Sequence, residues 1–335
     1  MTNLSELSLS LNWAYAFGKP TVKGLFRCQP EDFWVNEILG FEPSGEGEHV
    51  FLHVEKRGDN TAWLARQIAR LAEVETRDIG YAGLKDRHGI TRQWFSVYLP
   101  KGPEPDWQQL NTESVTLLNV TRHSRKLRRG EHQGNEFQIR LRALEGDLSS
   151  LRERVEQVSN LGVPNYFGEQ RFGHNGNNLI DAQRLLVERG RIKNRQKRGM
   201  VLSAARSYLF NQVLSRRIER SNWLSLLPGE PQLLQGEKPV PNGPLWGRGR
   251  NPSSEECEAL ENQVLESLAS WRDGLEHVGM EQERRPLILH PIGFESRLEN
   301  DQLEVSFSLP PGTYATAVLR ELLLLKDVSL PPDVV

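Results

Sequence analysis

Two cysteines in 335 residues, Cys28 and Cys257, are too few and too far apart for a disulfide framework. No Cys-x-x-Cys or Cys/His spacing suggests a zinc site, and such sparse cysteine use fits a reducing compartment. Residues 1–20 lack a basic stretch followed by a long apolar core, so no signal peptide is expected. The longest aliphatic run, Leu322–Leu325, is far too short to span a bilayer, which points to a cytoplasmic chain with no membrane partner. Also missing are Gly-x-x-x-x-Gly-Lys-Ser/Thr, Gly-x-Gly-x-x-Gly after a strand, His-Glu-x-x-His and Gly-x-Ser-x-Gly. Nucleotide-cofactor, zinc-peptidase and α/β-hydrolase chemistries therefore lose their usual signatures.

What is present is enough for a sizeable core: 37% of residues are hydrophobic and 26% charged, a balance normal for one or two globular domains. The net charge of −2 hides two basic segments, Arg122–Arg129 and Arg189–Arg198. Each is either solvated surface or a track for a phosphate backbone.

The stretch that organises the rest is Gly80–Thr91, Gly-Tyr-Ala-Gly-Leu-Lys-Asp-Arg-His-Gly-Ile-Thr, lying between an expected helix and an expected strand. Gly80, Gly83 and Gly89 allow backbone conformations that other residues resist. Asp86 sits between Lys85 and Arg87, and adjacent cations favour an ionised carboxylate suited to nucleophilic or electrostatic work. A solvated Lys-Asp-Arg turn is the plainer alternative.

Upstream, Pro30 makes a turn and Phe33, Val35 and Glu37 alternate as in a strand. His49–Glu55 reads as a buried strand, and Asn60 as the cap of a helix carrying Trp63, Leu64, Ile68 and Leu71. Strands are expected over Gln93–Leu99, Val115–Val120 and Asn135–Arg142, with a surface loop at Lys101–Asp106 and a helix opened by Asp147. After Gly162 helical patterns dominate, notably Ser203–Arg220 and Glu255–Gly274, with an irregular excursion over Pro228–Asn251. Alternation returns at Leu303–Leu309, and Thr313 is placed to cap a last helix running through Leu325. The expected fold is α+β: a mostly antiparallel mixed sheet with flanking helices, interrupted by a largely helical inserted domain. Residues 1–161 and 287–335 would form the first domain and 162–286 the second, with an extended ligand in a cleft between them. Glu31, Asp32, Glu37 and Asp86 are also numerous enough for a magnesium site of a nuclease, although their spacing does not require one.

Five motifs in order resemble the TruD family of tRNA pseudouridine synthases. They are the Pro-Glu-Asp-Phe strand within Phe26–Glu37; Gly83-x-Lys85-Asp86-Arg87-x-Gly89-x-Thr91-x-Gln93; Lys126-Leu127-Arg128-x-Gly130 with Gly134-Asn135-x-Phe137; Val163–Gly173; and the Pro-x-Gly-x-x-Ala-Thr-x-x-x-Arg-Glu helix of Leu309–Glu321. The similarity runs from Phe26 to Leu325; Gly89 stands where the family usually has Ala, and Pro228–Arg285 matches no motif. The resemblance implies a pseudouridine-synthase catalytic domain with a TruD-specific insertion, acting without cofactor or metal on uridine 13 of tRNA. It implies Asp86 as the catalytic residue, open to attack on the sugar, attack on the uracil ring, or assistance in loss of the C2′ proton. Arg27 is its implied cation and Lys85 its sequence neighbour, with Asn135 and Phe137 at the target base, flipped out of its stack. Gln170 and Arg171 are implied RNA contacts, joined by Lys126, Arg128 and Arg129 and by Arg195, Lys197 and Arg198 from the basic segments. A monomer is expected. A tRNA-binding protein that remodels RNA without chemistry is the alternative from a different class.

Overall fold

The computed structural model describes residues 9–100 and 103–329. The first two residues of the loop expected at Lys101–Asp106 and both ends of the chain lie outside the described residues. By packing, the chain divides into two compact units: a sheet unit of Thr21–Arg152, Pro291–Gly312 and the strand following Leu322, and a helical unit of residues up to Pro20, Glu153–His290 and Thr313–Leu322. The N-terminal residues up to Pro20 and the segment Thr313–Leu322 thus group with the helices rather than with the sheet.

The sheet unit is built on β1 (Lys23–Phe26), β2 (Phe33–Ile38), β3 (His49–Arg57), β4 (Ile79–Tyr81), β5 (Ile90–Tyr98), β6 (Val115–His123) and β7 (Gly134–Glu145), with helix α1 (Thr61–Leu71) between β3 and β4. Strands Ile292–Glu299, Gln302–Leu309 and Leu324–Asp327 complete a ten-stranded sheet. Its main path runs Ile292–Glu299, Gln302–Leu309, β7, β2, β5, β3, β6. Within this sheet, among the described residues, only β2 with β5 and β1 with Leu324–Asp327 pair in parallel. β3 is buried on both faces. Val50, Leu52 and Val54 meet Leu64, Ala65, Ile68 and Ala69 of α1, whereas Phe51 packs with Leu39, Ala82 and Leu127. Burying each such aliphatic side chain contributes roughly 1.5–3 kcal/mol. Asn60 caps α1 as its sequence suggests, its side-chain oxygen accepting from Trp63 N at 2.8 Å.

The helical unit packs around α4, which follows α2 (Leu148–Leu161) and α3 (Asn177–Leu186) and spans Arg195–Glu219. The irregular stretch after it is pinned by Glu230, which takes Arg217 Nη1 at 3.0 Å and the Asn242 backbone N–H.

Several elements differ from the pattern-based expectation. α4 starts eight residues earlier than Ser203, because Asn194 caps it by accepting from Lys197 N at 2.9 Å. The helix expected over Glu255–Gly274 is two, Glu255–Val264 and Ala269–Glu276, separated by a single 3-10 turn. The last helix is Ala315–Leu322; Leu324 and Leu325 belong instead to a strand, because their backbone pairs with Lys23 and Gly24 of β1. Ile292–Glu299 is not among the expected strands: Ile292, Phe294 and Leu298 fall on alternate positions, but Ser296 interrupts them and most of the strand is exposed at the sheet edge. Among the described residues no helix is long and apolar enough to cross a membrane.

Candidate active site

The loop between β4 and β5 is shaped by close approach. None of Gly80, Gly83 and Gly89 adopts a positive φ, so the freedom that glycine allows is not spent on a left-handed turn here. Two of them are instead required by space: a Cβ at Gly80 would lie 2.3 Å from Leu127 O, and one at Gly89 would lie 2.4 Å from Phe33 O. Beneath the loop, Thr61 Oγ1 donates to Gln93 Oε1 at 2.7 Å and accepts from Lys85 N at 3.0 Å, while Gln93 Nε2 donates to Gly83 O at 3.4 Å.

Asp86 leaves this loop toward Arg27. Its Oδ2 accepts from Arg27 Nη1, and its Oδ1 from His88 N at 3.0 Å. Arg27 follows the last residue of β1 with a left-handed φ of 59°, a conformation rare outside glycine. It is 7% exposed, with its guanidinium 4.8 Å from the Phe26 ring centroid and 5.8 Å from that of Phe33. Its other edge is bidentate on Asp327, with Nε 3.2 Å from Oδ1 and Nη2 on Oδ2. Asp327, brought in by the parallel pairing of Phe26 with Asp327, is a site residue that sequence motifs did not single out. Hydrogen bonds from Arg27 and Ser329 hold its carboxyl below the usual carboxylate range against the opposing effect of burial.

The two cations flanking Asp86 in sequence do not touch it. Lys85 turns to Glu37 in a buried ion pair, and Glu37 Oε1 also accepts from Trp94 N at 3.1 Å. Arg87 Nε donates to Gly58 O at 3.1 Å. Nor do the four carboxylates considered for a metal come together: Glu31 pairs with Arg57, Asp32 with Arg142, Glu37 with Lys85 and Asp86 with Arg27. Among the described residues no three His, Cys, Asp or Glu side chains form a ligand cluster.

Glu37 links this centre to Asn135, its partner across β2 and β7. Asn135 Nδ2 lies 3.4 Å from His132 Nε2. Its Oδ1 is a buried acceptor with no hydrogen-bond partner among the described residues, an arrangement that is costly unless a ligand supplies a donor. Burial and the charge of Lys85 push His132 below the ordinary imidazole value, so it is neutral at physiological pH. Phe137, two residues on, is 8% exposed and sits between Phe307 (5.5 Å between centroids) and Phe33 (6.2 Å). It is the middle ring of an aromatic floor rather than a free stacking platform.

The first basic segment is anchored by Leu127, buried with Phe51 and Ala82, and by Leu127 N donating to Ser96 Oγ at 3.0 Å. That anchor presents Arg128 and Arg129 to solvent, whereas Lys126 is half-buried and spends its ammonium on Arg77 O. Arg122 lies within β6 and pairs with Glu104. In the helical unit Arg195 and Lys197 are exposed and Arg198 half-buried in the first turn of α4, with Lys197 2.8 Å from Asp181. Cations at a helix N-terminus oppose the macrodipole, so helix stability does not explain this cluster. Gln170 is exposed, but Arg171 is committed to Tyr314 OH at 2.7 Å and Ser203 Oγ at 3.1 Å. Phe167, four residues before Arg171, is buried in the helical core beside Phe210.

Comparison with known proteins agrees with these motifs. The sequence matches the family described as tRNA pseudouridine synthase D (TruD) over residues 12–190 and 229–322. It is 52% identical to the tRNA pseudouridine synthase D of Cellvibrio japonicus, over 97% of this chain and 96% of that one. It is 48% identical to that of Methylococcus capsulatus, over 92% and 93%. A solved structure of the putative tRNA pseudouridine synthase D of Methanosarcina mazei shares the fold with a TM-score of 0.69 at 20% identity, over 95% of this chain and 97% of that one.

Proposed function

The chain belongs to the TruD family of tRNA pseudouridine synthases, isomerases that modify tRNA, and we propose that it converts uridine 13 of tRNA to pseudouridine with Asp86 as the catalytic carboxylate. The observation that carries this proposal is the ion pair that Arg27, immediately after β1, makes with Asp86 of the family's signature loop. The reaction breaks the bond from N1 to C1′, turns the base, and joins C5 to C1′; C5 gives up its proton and N1 gains one. No electron or group enters or leaves, so the chemistry calls for no redox or group-transfer cofactor. Arg27, held by Asp327, aims Asp86 through its own hydrogen bond to Oδ2.

The target base must leave its stack to be isomerised. Phe33, Phe137 and Phe307 form the apolar floor beneath it, and the unpartnered Asn135 Oδ1 is its polar anchor, suited to a uracil N–H. The sheet unit acts as the catalytic domain and the helical unit as the insertion that grips the body of the tRNA. A cytoplasmic monomer completes the proposal. The test is incubation of unmodified tRNA with the protein in the presence of EDTA, followed by pseudouridine mapping. Pseudouridine at position 13 is expected; product elsewhere overturns the site, and shortened or unchanged RNA overturns the activity.

Affinity should divide between the two basic segments. Replacing Lys126, Arg128 and Arg129 by Ala is expected to lower turnover as well as affinity, since that segment leads straight to Asn135 and Phe137 on β7. Replacing Arg195, Lys197 and Arg198 is expected mainly to raise the Michaelis constant. Each lost phosphate contact should flatten the log–log salt dependence by about 0.7–0.9. Steady-state kinetics across a salt series checks both, and identical profiles for the two triple variants would refute the division.

A further inference from the structure

Lys56 lies near the end of β3, paired with Thr91 of β5 and Val115 of β6, and is 0% exposed. A fully buried lysine is rare and costly unless its charge has a partner. Here no carboxylate provides one directly. The ammonium donates to two backbone carbonyls, Asp59 O at 2.7 Å and Asp86 O at 2.9 Å. The Asp59 carboxylate is occupied by Ser114 Oγ at 2.7 Å, and that of Asp86 by Arg27 and His88 N. A strand that needed only volume would hold an apolar residue at this position.

The catalytic loop explains the exception. Its outer side is open: a Cβ at Gly83 would touch nothing within 4 Å, and Leu84 is 68% exposed. Its inner side is tied down at Gly83 by Gln93, at Lys85 by Thr61, and at Asp86 by Lys56. Thr61 and Gln93 thus hold the approach to the carboxylate, and Lys56 holds the backbone of the residue that carries it. Building on the assignment of Asp86 as the catalytic carboxylate, we propose that Lys56 is a positioning residue for the isomerisation, fixing the Asp86 peptide so that the carboxylate meets the target nucleoside in one orientation.

The charge makes the proposal testable by pH. Burial lowers Lys56 to about 8; Asp86 and Asp59 pull it back up and Lys85 pushes it further down. Thr91, Gln93 and Val115, which face it from β5 and β6, do not titrate. On its own strand Glu55 and Arg57 are paired with Arg92 and Glu31. As pH rises through about 8 the charge-assisted bonds weaken to neutral ones and turnover falls. Stability moves the opposite way. The unfolded chain keeps its lysine protonated up to about 10.4, so this group makes the fold more stable as pH rises above about 8. A purely structural lysine would not set activity and stability against each other.

The experiment compares wild type, Lys56→Met and Lys56→Gln in single-turnover pseudouridine formation on tRNA from pH 7 to 9, alongside tRNA affinity and melting temperature. Lys56→Met is expected to bind tRNA within threefold of wild type and to react about 10²-fold more slowly, as misplacement of a reacting group by about 1 Å does. The alkaline fall near pH 8 should be present in wild type and absent in the variant, while ionisation of the uracil itself is common to both. The melting temperature of wild type relative to Lys56→Met should rise over the same range. A variant rate within threefold of wild type overturns the proposal, as does parallel loss of rate, affinity and melting temperature. If Lys56→Met does not fold, Lys56→Gln and the wild-type profile decide, and a flat wild-type rate from pH 7 to 9 overturns it. Asp86→Asn is run beside them. Turnover in that variant removes the catalytic assignment and this proposal with it, whereas a dead Asp86→Asn beside an unimpaired Lys56→Met removes the positioning role alone.

Discussion

Asp86→Asn is expected to eliminate pseudouridine formation, by about 10⁴-fold or more, while tRNA binding and the melting temperature stay near wild type. The size follows from the role, because removing a group that acts directly on the reacting atoms costs as much as removing the whole catalytic set. The selectivity follows from the geometry. An asparagine keeps an oxygen for His88 N, which now bonds Asp86 Oδ1 at 3.0 Å. Arg27 keeps its bidentate hold on Asp327, so no buried cation is stranded. The loop stays tied by Thr61, Gln93 and Lys56, none of which bonds the carboxylate. The measurement is pseudouridine detection after long incubation with excess enzyme, beside a tRNA-binding isotherm. Turnover within tenfold of wild type would end the catalytic assignment.

How much of this centre could be read from the chain depends on how locally each part is encoded. Asp86 stands inside one continuous motif, and Asn60, Asn135 and Phe137 sit beside clear helix and strand signals. Their places in loop, helix and strand were legible from local pattern, whereas the roles expected of Asp86, Asn135 and Phe137 rest on the resemblance to the TruD family. Partners supplied by long-range pairing were not. Asp327 reaches Arg27 across a sequence separation of 300 residues, through a four-residue parallel strand that reads as the tail of a helix. Lys85 looks like a companion of Asp86, yet consecutive residues of an extended loop point apart, and its ammonium finds Glu37 instead. Glu37 itself carried a usable signal: it continues the alternation of Phe33 and Val35, which puts a carboxylate on a buried face and demands a cation. The same argument would have found Lys56, which continues the buried alternation of Val50, Leu52 and Val54. Two of the loop glycines, Gly80 and Gly89, are required by the approach of Leu127 and Phe33, which only the tertiary fold reveals.

The second large effect is expected at Arg27, whose guanidinium is shared between two carboxylates. Arg27→Met should lower turnover by about 10²–10³-fold, the scale of losing one preorganised charge contact at a reacting centre. It should also destabilise the fold. Removing one partner of a buried pair costs roughly 3–5 kcal/mol, and less is expected here because the carboxylates of Asp86 and Asp327 retain 22% and 20% side-chain exposure. Without the cation, Asp327 loses the Arg27 hydrogen bonds and charge that hold its carboxyl below the usual range against burial, so Asp327 should keep its proton to higher pH. Arg27→Lys will not restore the wild type, since an ammonium is a point charge that cannot reproduce a fork bridging Asp86 and Asp327. The double variant Arg27→Met with Asp327→Asn separates the two losses. Neutralising Asp327 relieves the stranded charge and should recover much of the melting temperature, but turnover should stay low because Asp86 still lacks its cation. Thermal unfolding and single-turnover rates on the three variants measure both quantities. Recovery of turnover in the double variant would show that Arg27 serves only to neutralise Asp327, and the catalytic role of the Arg27–Asp86 pair would fall.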